Sequence, residues 1–300
     1  MSAEWSPGLG VSQSGVRTPG RGATTGAIRA APRYFMVTMA YQHIQVGLQD
    51  GVLTVMFDRP DVLNSFNARM ADEVAAALRE ARENSAVRAI LMTGNGRAFC
   101  AGQDLSEVLP RDGVSPDLGD VVERQYSPII RAIRTLEKPV VCAVNGVAAG
   151  AGANIAFACD LVLAAEDATF IQSFARIGLI PDSGGTFILP RLVGYQRAAA
   201  LAMLGEKLDA TTAKQWGLVY DVVPPTVLAS TSFDVAKRFA TMPTRALGLI
   251  KRGFNAGVHN DLDTQLALEA ELQREAGRTE DYAEGVRAFV EKRKPRFQGR

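Results

Sequence analysis

The stretch VVCAVNGVAAGAGANIAFACDLVLAA, Val140 to Ala165, holds two apolar runs separated by a glycine-punctuated run of small residues. VVCAV is short, rich in valine and bounded by Pro139 and Asn145, which predicts a buried strand. GAGANIAFAC predicts a helix and DLVLAA a second strand. Strand and helix alternate, so the chain is expected to be α/β with at least partly parallel pairing.

The same alternation extends upstream. HIQVGLQDGVLTVMFD, His43 to Asp58, reads as two alternating strands joined at Asp50-Gly51, a strong hairpin signal. NARMADEVAAALREARENS carries Met70, Val74, Ala77, Leu78 and Ala81 at helical spacing behind an Asn67 cap. VRAILMTG then reads as a buried strand and VVERQYSPIIRAIRTLEKP as a helix. From about residue 195 strands nearly vanish. VLASTSFDVAKRFATM, TRALGLIKRGFNAG, DLDTQLALEAELQREAG and TEDYAEGVRAFVEKRK read as successive helices.

Composition narrows the function classes. The 300 residues are 47% hydrophobic and 22% charged, ordinary for a soluble globular enzyme, and a net charge of +1 offers no footprint for nucleic acid or an anionic membrane. Cys100, Cys142 and Cys159 lie far apart among small or apolar neighbours, matching neither a disulfide framework nor a metal-ligand spacing. Buried thiols in a reducing, cytoplasmic setting are expected. No run approaches the length of a membrane helix. Residues 1–38 are rich in Gly, Pro, Ser and Thr and are read as a disordered tail, an overlong start with Met36 or Met39 as the natural first residue. A core over 39–225 and a helical region over 226–300 complete the expected organisation.

Three chemistries compete. GAGANIA, Gly150 to Ala156, approximates the dinucleotide fingerprint G-x-G-x-x-G/A, with Glu166 placed to hold a ribose, as in an NAD-dependent dehydrogenase. It sits mid-chain, and NGVAA separates it from its strand, which weakens that reading. A Ser-His-Asp triad is disfavoured, because neither His43 nor His259 neighbours a Gly-x-Ser-x-Gly elbow. The third reading joins distant segments. GRAFCAGQDL, Gly96 to Leu105, and NGVAAGAG, Asn145 to Gly152, both present backbone N–H groups that can hold an oxyanion, helped in the second by a helix dipole. If both face one thioester carbonyl, its α-proton becomes removable and Asp182, in IGLIPDSGGT, is the base. Turn chemistry alone also accounts for Pro181-Asp182-Ser183-Gly184.

AFCAGQDL, KPVVCAVNGVAAGAG, CDLVLAA, GLIPDSGGT, LPRLVG and AKQWGLV, in this order and followed by FVEKRKPRF, resemble the crotonase (enoyl-CoA hydratase/isomerase) superfamily from Ile44 to Phe297. NGVAAGAG, MLGEKL, PTRALGLIK and LQREAGRTEDYAEGVRAFVEKR are similar to its phenylacetate-pathway isomerase branch. The resemblance implies a spiral of ββα units followed by helices that build a homotrimer or a dimer of trimers. It implies an acyl-CoA substrate with no metal or redox cofactor, coenzyme A being part of the substrate. It places oxyanion amides at Gln103 and Ala151 and a CoA path at Ala101, Asp104 and Leu105. Where a hydratase carries two glutamates this chain has Asn154 and Phe174, implied to face the acyl group, and the isomerase branch keeps a single acid at the position of Asp182. Simple hydration, the alternative activity, needs two positioned acid/base groups. Phe174, Ile180 and Phe187 are expected to desolvate Asp182 and raise its pKa. Asn145 reads as a turn former and Arg59-Pro60 as a strand end, although the resemblance places CoA contacts near RPDVLNSF. EKRKPR reads either as a solvated helix face or as a basic patch that meets CoA phosphates of a neighbouring subunit.

Overall fold

A computed structural model describes residues 41–110, 114 and 116–300; the expected tail, 1–38, lies outside the described residues. The first hairpin joins β1 (Ile44–Gln49) to β2 (Val52–Phe57), and Gln49 pairs with Val52 across a two-residue turn. Asp50 and Gly51 there have φ of 52° and 78°, the left-handed pair such a turn requires. Helix α1 (Ala68–Glu83) follows, and its Asn67 side chain caps it by accepting from the Met70 N–H at 2.9 Å. Its buried face is Met70, Ala71, Val74, Ala77, Leu78 and Ala81, the stripe the spacing predicts.

Three ββα units come next, each with a long strand, a three-residue strand and a helical part. The first holds β3 (Ala89–Gly94), β4 (Ala98–Cys100) and α2 (Leu118–Val121), which continues through a π-helical turn at Val122–Tyr126 into α3 (Ser127–Thr135). The second holds β5 (Val140–Val144), β6 (Val147–Ala149) and α4 (Ala151–Ala158). The third holds β7 (Leu161–Ala165), β8 (Thr169–Ile171) and α5 (Gly185–Leu204), which breaks at Gly194. Then follow β9 (Lys207–Asp209), α6 (Ala210–Gln215), β10 (Asp221–Val223), α7 (Leu228–Ala240), α8 (Thr244–Gly257), α9 (Leu262–Ala276) and α10 (Glu280–Val290).

The long strands, with three-residue β10 at one edge, form one sheet in the order β1-β2-β3-β5-β7-β10, parallel from β2 onward. β2 and β5 are buried along their whole length, which is why they read as continuous apolar runs. The short strands form a second sheet, β4-β6-β8-β9, parallel from β4 to β8. Sequence periodicity does not reveal these strands, because three residues are too few to show alternation. α7 covers β3 and β5. The C-terminal helices agree with the sequence reading but leave large apolar side chains in the open, Phe254 at 75% and Phe289 at 84%. Beyond α10 the chain folds back, with Gln298 and Gly299 N–H groups on the Asp281 carboxylate at 2.6 and 2.7 Å and Arg293 paired to Glu284 and Glu291. Within EKRKPR, therefore, one arginine is already held by this chain's own acids.

The segment entering α1 depends on Asn64, which is fully buried with φ 57°. Its Oδ1 accepts from the Arg59 N–H at 2.8 Å, and its Nδ2 donates to the carbonyls of Asn95 and Ala98 at 2.9 and 2.8 Å. Asn64→Ala leaves the Arg59 N–H and the Asn95 carbonyl without this partner and the Ala98 carbonyl with Asn145 Nδ2 at 3.2 Å, and Asn64→Gly does the same while tolerating the left-handed backbone. Both are expected to cost about 3 kcal/mol or more, with Ala the worse, as read by denaturant unfolding.

Candidate active site

Each ββα unit leaves its short strand into a turn, and three of these turns converge. After β4, the segment 101–104 is laced to the 63–66 segment. Ala101 N–H donates to the Leu63 carbonyl at 3.0 Å, Phe66 N–H to Gly102 at 2.7 Å, and Asp104 N–H to Phe66 at 2.8 Å. The Gln103 amide falls on the other side of this ladder and has no acceptor among the described residues. After β6, Gly150 N–H bonds the Ile171 carbonyl at 2.9 Å, and Ala151 opens α4 with its amide free of any helical partner, as the first N–H groups of a helix are. A side chain at Gly102 would stand 2.9 Å from the Ala149 carbonyl and 3.7 Å from the Ala151 nitrogen, so only glycine lets the two turns meet.

The third turn follows β8 and carries Asp182. Burial pushes its pKa above the ordinary 3.8, opposed by a hydrogen bond from Ser183 Oγ to Oδ1 at 2.8 Å. Ser183 and Gly184 take consecutive left-handed conformations, φ 49° and 75°, which turns the chain sharply beside the carboxylate. Of the aromatic and aliphatic neighbours expected to desolvate Asp182, Phe174 is buried beside Gly150, its ring 3.7 Å from where a Cβ there would lie. Ile180 is 76% exposed and Phe187 43% exposed, so those two side chains do not enclose it.

Tyr126, on the π-helical turn, is buried and donates its hydroxyl to Gln103 Oε1. Burial first, and then the fields of Cys100, Asp182, Glu107 and Asp104, raise its pKa far above the phenol range, so it remains a neutral donor. Two of those carboxylates are already engaged. Asp104 pairs with Arg59 at 2.9 Å and accepts from Ser106, which together hold its pKa low, and Glu107 Oε2 accepts from the Ala68 N–H at 2.8 Å. Among the described residues, Asp182 is left with only Ser183 on its carboxylate. Next to Gln103 lies a cleft of about 460 Å³ whose walls include Val108, Leu109, Pro116, Val121 and Gln125.

Placement of the residues singled out from sequence is uneven. The Gln103 and Ala151 turns meet at Gly102, Phe174 packs at Gly150, and the Asp182 turn is joined to α4 by Asn154 and faces Tyr126, the partner of Gln103, while Ala101 and Asp104 hold the Gln103 turn by backbone and ion-pair contacts. Leu105 is half exposed at the rim. Asn154 departs from its expected orientation. It is 1% exposed, its Nδ2 donates to the Asp182 carbonyl at 2.8 Å, and its Oδ1 accepts from Gln172 Nε2 at 2.9 Å, so its polar ends are spent inside the fold. Arg59, read as a strand end, is a partner of Asp104. Asn64, Tyr126, Gln172 and Ser183 escaped the sequence reading because nothing local marks a polar residue that will be buried by a distant segment. The dinucleotide reading fails on its own residues, since Ile155 occupies the last fingerprint position counted from Gly150.

A family model described as enoyl-CoA hydratase/isomerase matches residues 47–300. The chain is 49% identical over 254 residues to the 1,2-epoxyphenylacetyl-CoA isomerase of Escherichia coli K12, covering 84% of this chain and 97% of that one. It is 46% identical over 264 residues to a Rhodobacter capsulatus protein named "Probable enoyl-CoA hydratase", covering 87% and 100%. Among solved structures, enoyl-CoA hydratase from Bacillus anthracis superposes with a TM-score of 0.80 at 34% identity, covering 86% and 100%. No helix among the described residues is long and apolar enough to cross a membrane.

The raised Asp182 pKa has a stability consequence with a defined sign. A group protonated more readily when folded contributes stability fully below its unfolded pKa and loses it as pH rises through the folded value. Asp182→Asn, which never ionises, is therefore expected to raise Tm over wild type near neutral pH, and the gain should vanish below the ordinary 3.8. Thermal unfolding followed across that pH window checks both the sign and the window.

Proposed function

We propose, on the premise that this chain belongs to the enoyl-CoA hydratase/isomerase family, that it is an acyl-CoA isomerase working through one proton-shuttling carboxylate. In this reading the Gln103 and Ala151 amides hold the thioester oxygen, and the enolate formed by removing an α-proton waits there. Asp182 takes the proton from one carbon and returns it to another, which one carboxylate suffices to do. A pKa lifted by burial makes it a better base than an exposed aspartate. The observation that carries the proposal is that Asp182 alone, of the three carboxylates whose fields reach Tyr126, has no cation or backbone donor on its carboxylate among the described residues. Hydration is less favoured because a second acid is missing: Phe174 is apolar and Asn154 is bonded to the Asp182 turn. The proposed reaction calls for no metal or redox cofactor.

The proposed substrate is a phenylacetyl-type ring epoxide thioester, by likeness to the 49% identical relative, or an unsaturated acyl chain undergoing a Δ3-Δ2 shift. The cleft beside Gln103 has room for an acyl group of either kind. CoA is proposed to run along Ala101, Asp104 and Leu105. The proposed setting is the cytoplasm, in keeping with three buried free cysteines. The proposed assembly is a homotrimer or a dimer of trimers, supported by the apolar side chains that α8, α9 and α10 leave open, including Phe254, Leu262 and Phe289.

Incubation with a panel of CoA thioesters followed by mass analysis tests the reaction. Isomerisation leaves mass unchanged and hydration adds one water. Wild type is expected to show at most trace hydration of crotonyl-CoA, and Asp182→Asn to slow isomerisation about a hundredfold or more while still binding the thioester. Robust hydration by wild type, or a fully active Asp182→Asn, rejects the proposal. For the assembly, light scattering is expected to give about three or six times the chain mass of 32.1 kDa, and a monomer rejects it.

A further inference from the structure

The Asp182 carbonyl receives two N–H donors, Gly185 N at 2.8 Å and Asn154 Nδ2 at 2.8 Å. A carbonyl oxygen can only accept, so the Asn154 amide must present its nitrogen to Asp182. Its oxygen is then turned to Gln172, which must donate through Nε2, at 2.9 Å. The Gln172 Oε1 is thereby left over, and it is a buried atom with no partner among the described residues. The direction of every bond in this relay follows from one backbone carbonyl. Both side chains are almost wholly enclosed, Asn154 at 1% and Gln172 at 2% exposure. Gly185 shows how closely the relay is fitted, since a Cβ there would lie 2.3 Å from Asn154 Nδ2.

The relay joins three elements. Asn154 stands one turn along α4 from Ala151, Gln172 directly follows β8, and the acceptor is the backbone of the Asp182 turn. Ser183 Oγ holds Asp182 Oδ1, and Oδ2 accepts no hydrogen bond among the described residues. We propose that Asn154, oriented by Gln172, is a positioning residue that sets the free oxygen of Asp182 relative to the Ala151 amide, a role that rests on the proton-shuttle reading above. The residue standing where a hydratase carries an acid serves here to aim the remaining one. Reacting groups misplaced by about an ångström lose roughly a hundredfold in rate, which makes such a device worth its orphaned oxygen.

The test follows deuterium incorporation at the α-carbon of phenylacetyl-CoA in D₂O, with the dissociation constant of the same thioester measured alongside. Asn154→Asp replaces the donor with an acceptor and is expected to slow exchange about tenfold to a hundredfold while leaving the dissociation constant within about threefold. Gln172→Glu can only accept when ionised, so it draws the Asn154 nitrogen to itself and points Oδ1 at the Asp182 carbonyl. Gln172→Met removes the orienting bond without reversing it. Gln172→Glu is therefore expected to exchange more slowly than Gln172→Met, an ordering that loss of packing alone does not produce, and this pair decides the matter if Asn154→Asp does not fold. Added to Asp182→Asn, the Asn154→Asp change should slow exchange no further. Exchange at the wild-type rate in Asn154→Asp, equal rates in the two Gln172 variants, or a further fall in the Asp182→Asn background overturns the positioning role while sparing the base. An Asp182→Asn enzyme that exchanges like wild type, or a wild type that does not exchange at all, overturns the base and the positioning role together.

Discussion

The parallel pairing of three very short strands, β4, β6 and β8, is the constraint on which the candidate site depends. Each is three residues long and each ends where a functional turn begins: 101–104, 150–151, and the segment that leads to Asp182. The long sheet sets the spacing of the three units through β3, β5 and β7, and the short sheet draws their exits together. Residues nearly eighty positions apart thus share one site without any long loop having to be held in place by itself.

Holding a carboxylate in such a place has a thermodynamic cost, because burial disfavours its charged form. The surrounding contacts offset only part of it. Ser183 supplies a single hydrogen bond to the carboxylate, and Asn154 and Gly185 satisfy the carbonyl, which stabilises the turn and leaves the ionisation penalty in place. Elsewhere buried charge is treated differently. Lys251, 8% exposed, has its pKa lowered by burial and yet bonds Asp160 Oδ2 at 2.7 Å, while the same oxygen accepts from the Val140 N–H at 2.8 Å. That pair fastens α8 to the start of β5 and has both its charges compensated. Asp182 has no cation on its carboxylate among the described residues, so burial keeps its pKa raised.

The turn at 59–66 shows how polar residues do structural duty around the site. Leu63 and Asn64 are both left-handed, φ 54° and 57°, and their carbonyl and side-chain groups bind segments from β3 and β4. Arg59 then reaches Asp104 at 2.9 Å, tying the loop to the Gln103 turn, and the Ser65 carbonyl at 2.5 Å, closing the loop on itself. Gln103 is gripped a second time by the Tyr126 hydroxyl. These contacts hold the Gln103 turn from two sides.

The sequence by itself determined the long elements and the family. The apolar runs of β2, β3, β5 and β7, the hairpin at Asp50-Gly51, the Asn67 cap and the C-terminal helices are all written in local periodicity and turn chemistry, which act over a few residues and need no distant partner. The ordered motifs around Gln103, Ala151 and Asp182 marked the segments that meet. Tertiary structure decided which polar groups those segments spend on each other. The family resemblance placed Asn154 toward the acyl group, yet Gln172 and the Asp182 carbonyl, 18 and 28 residues away, claim both ends of its amide. Ile180 and Phe187 looked like walls because they are near in sequence, yet Ile180 is 76% exposed, and the Phe187 ring is covered by Arg191 and neighbours His259. An amide or a hydroxyl has no periodicity of its own, so its partner is fixed only when packing brings a second segment within about 3 Å.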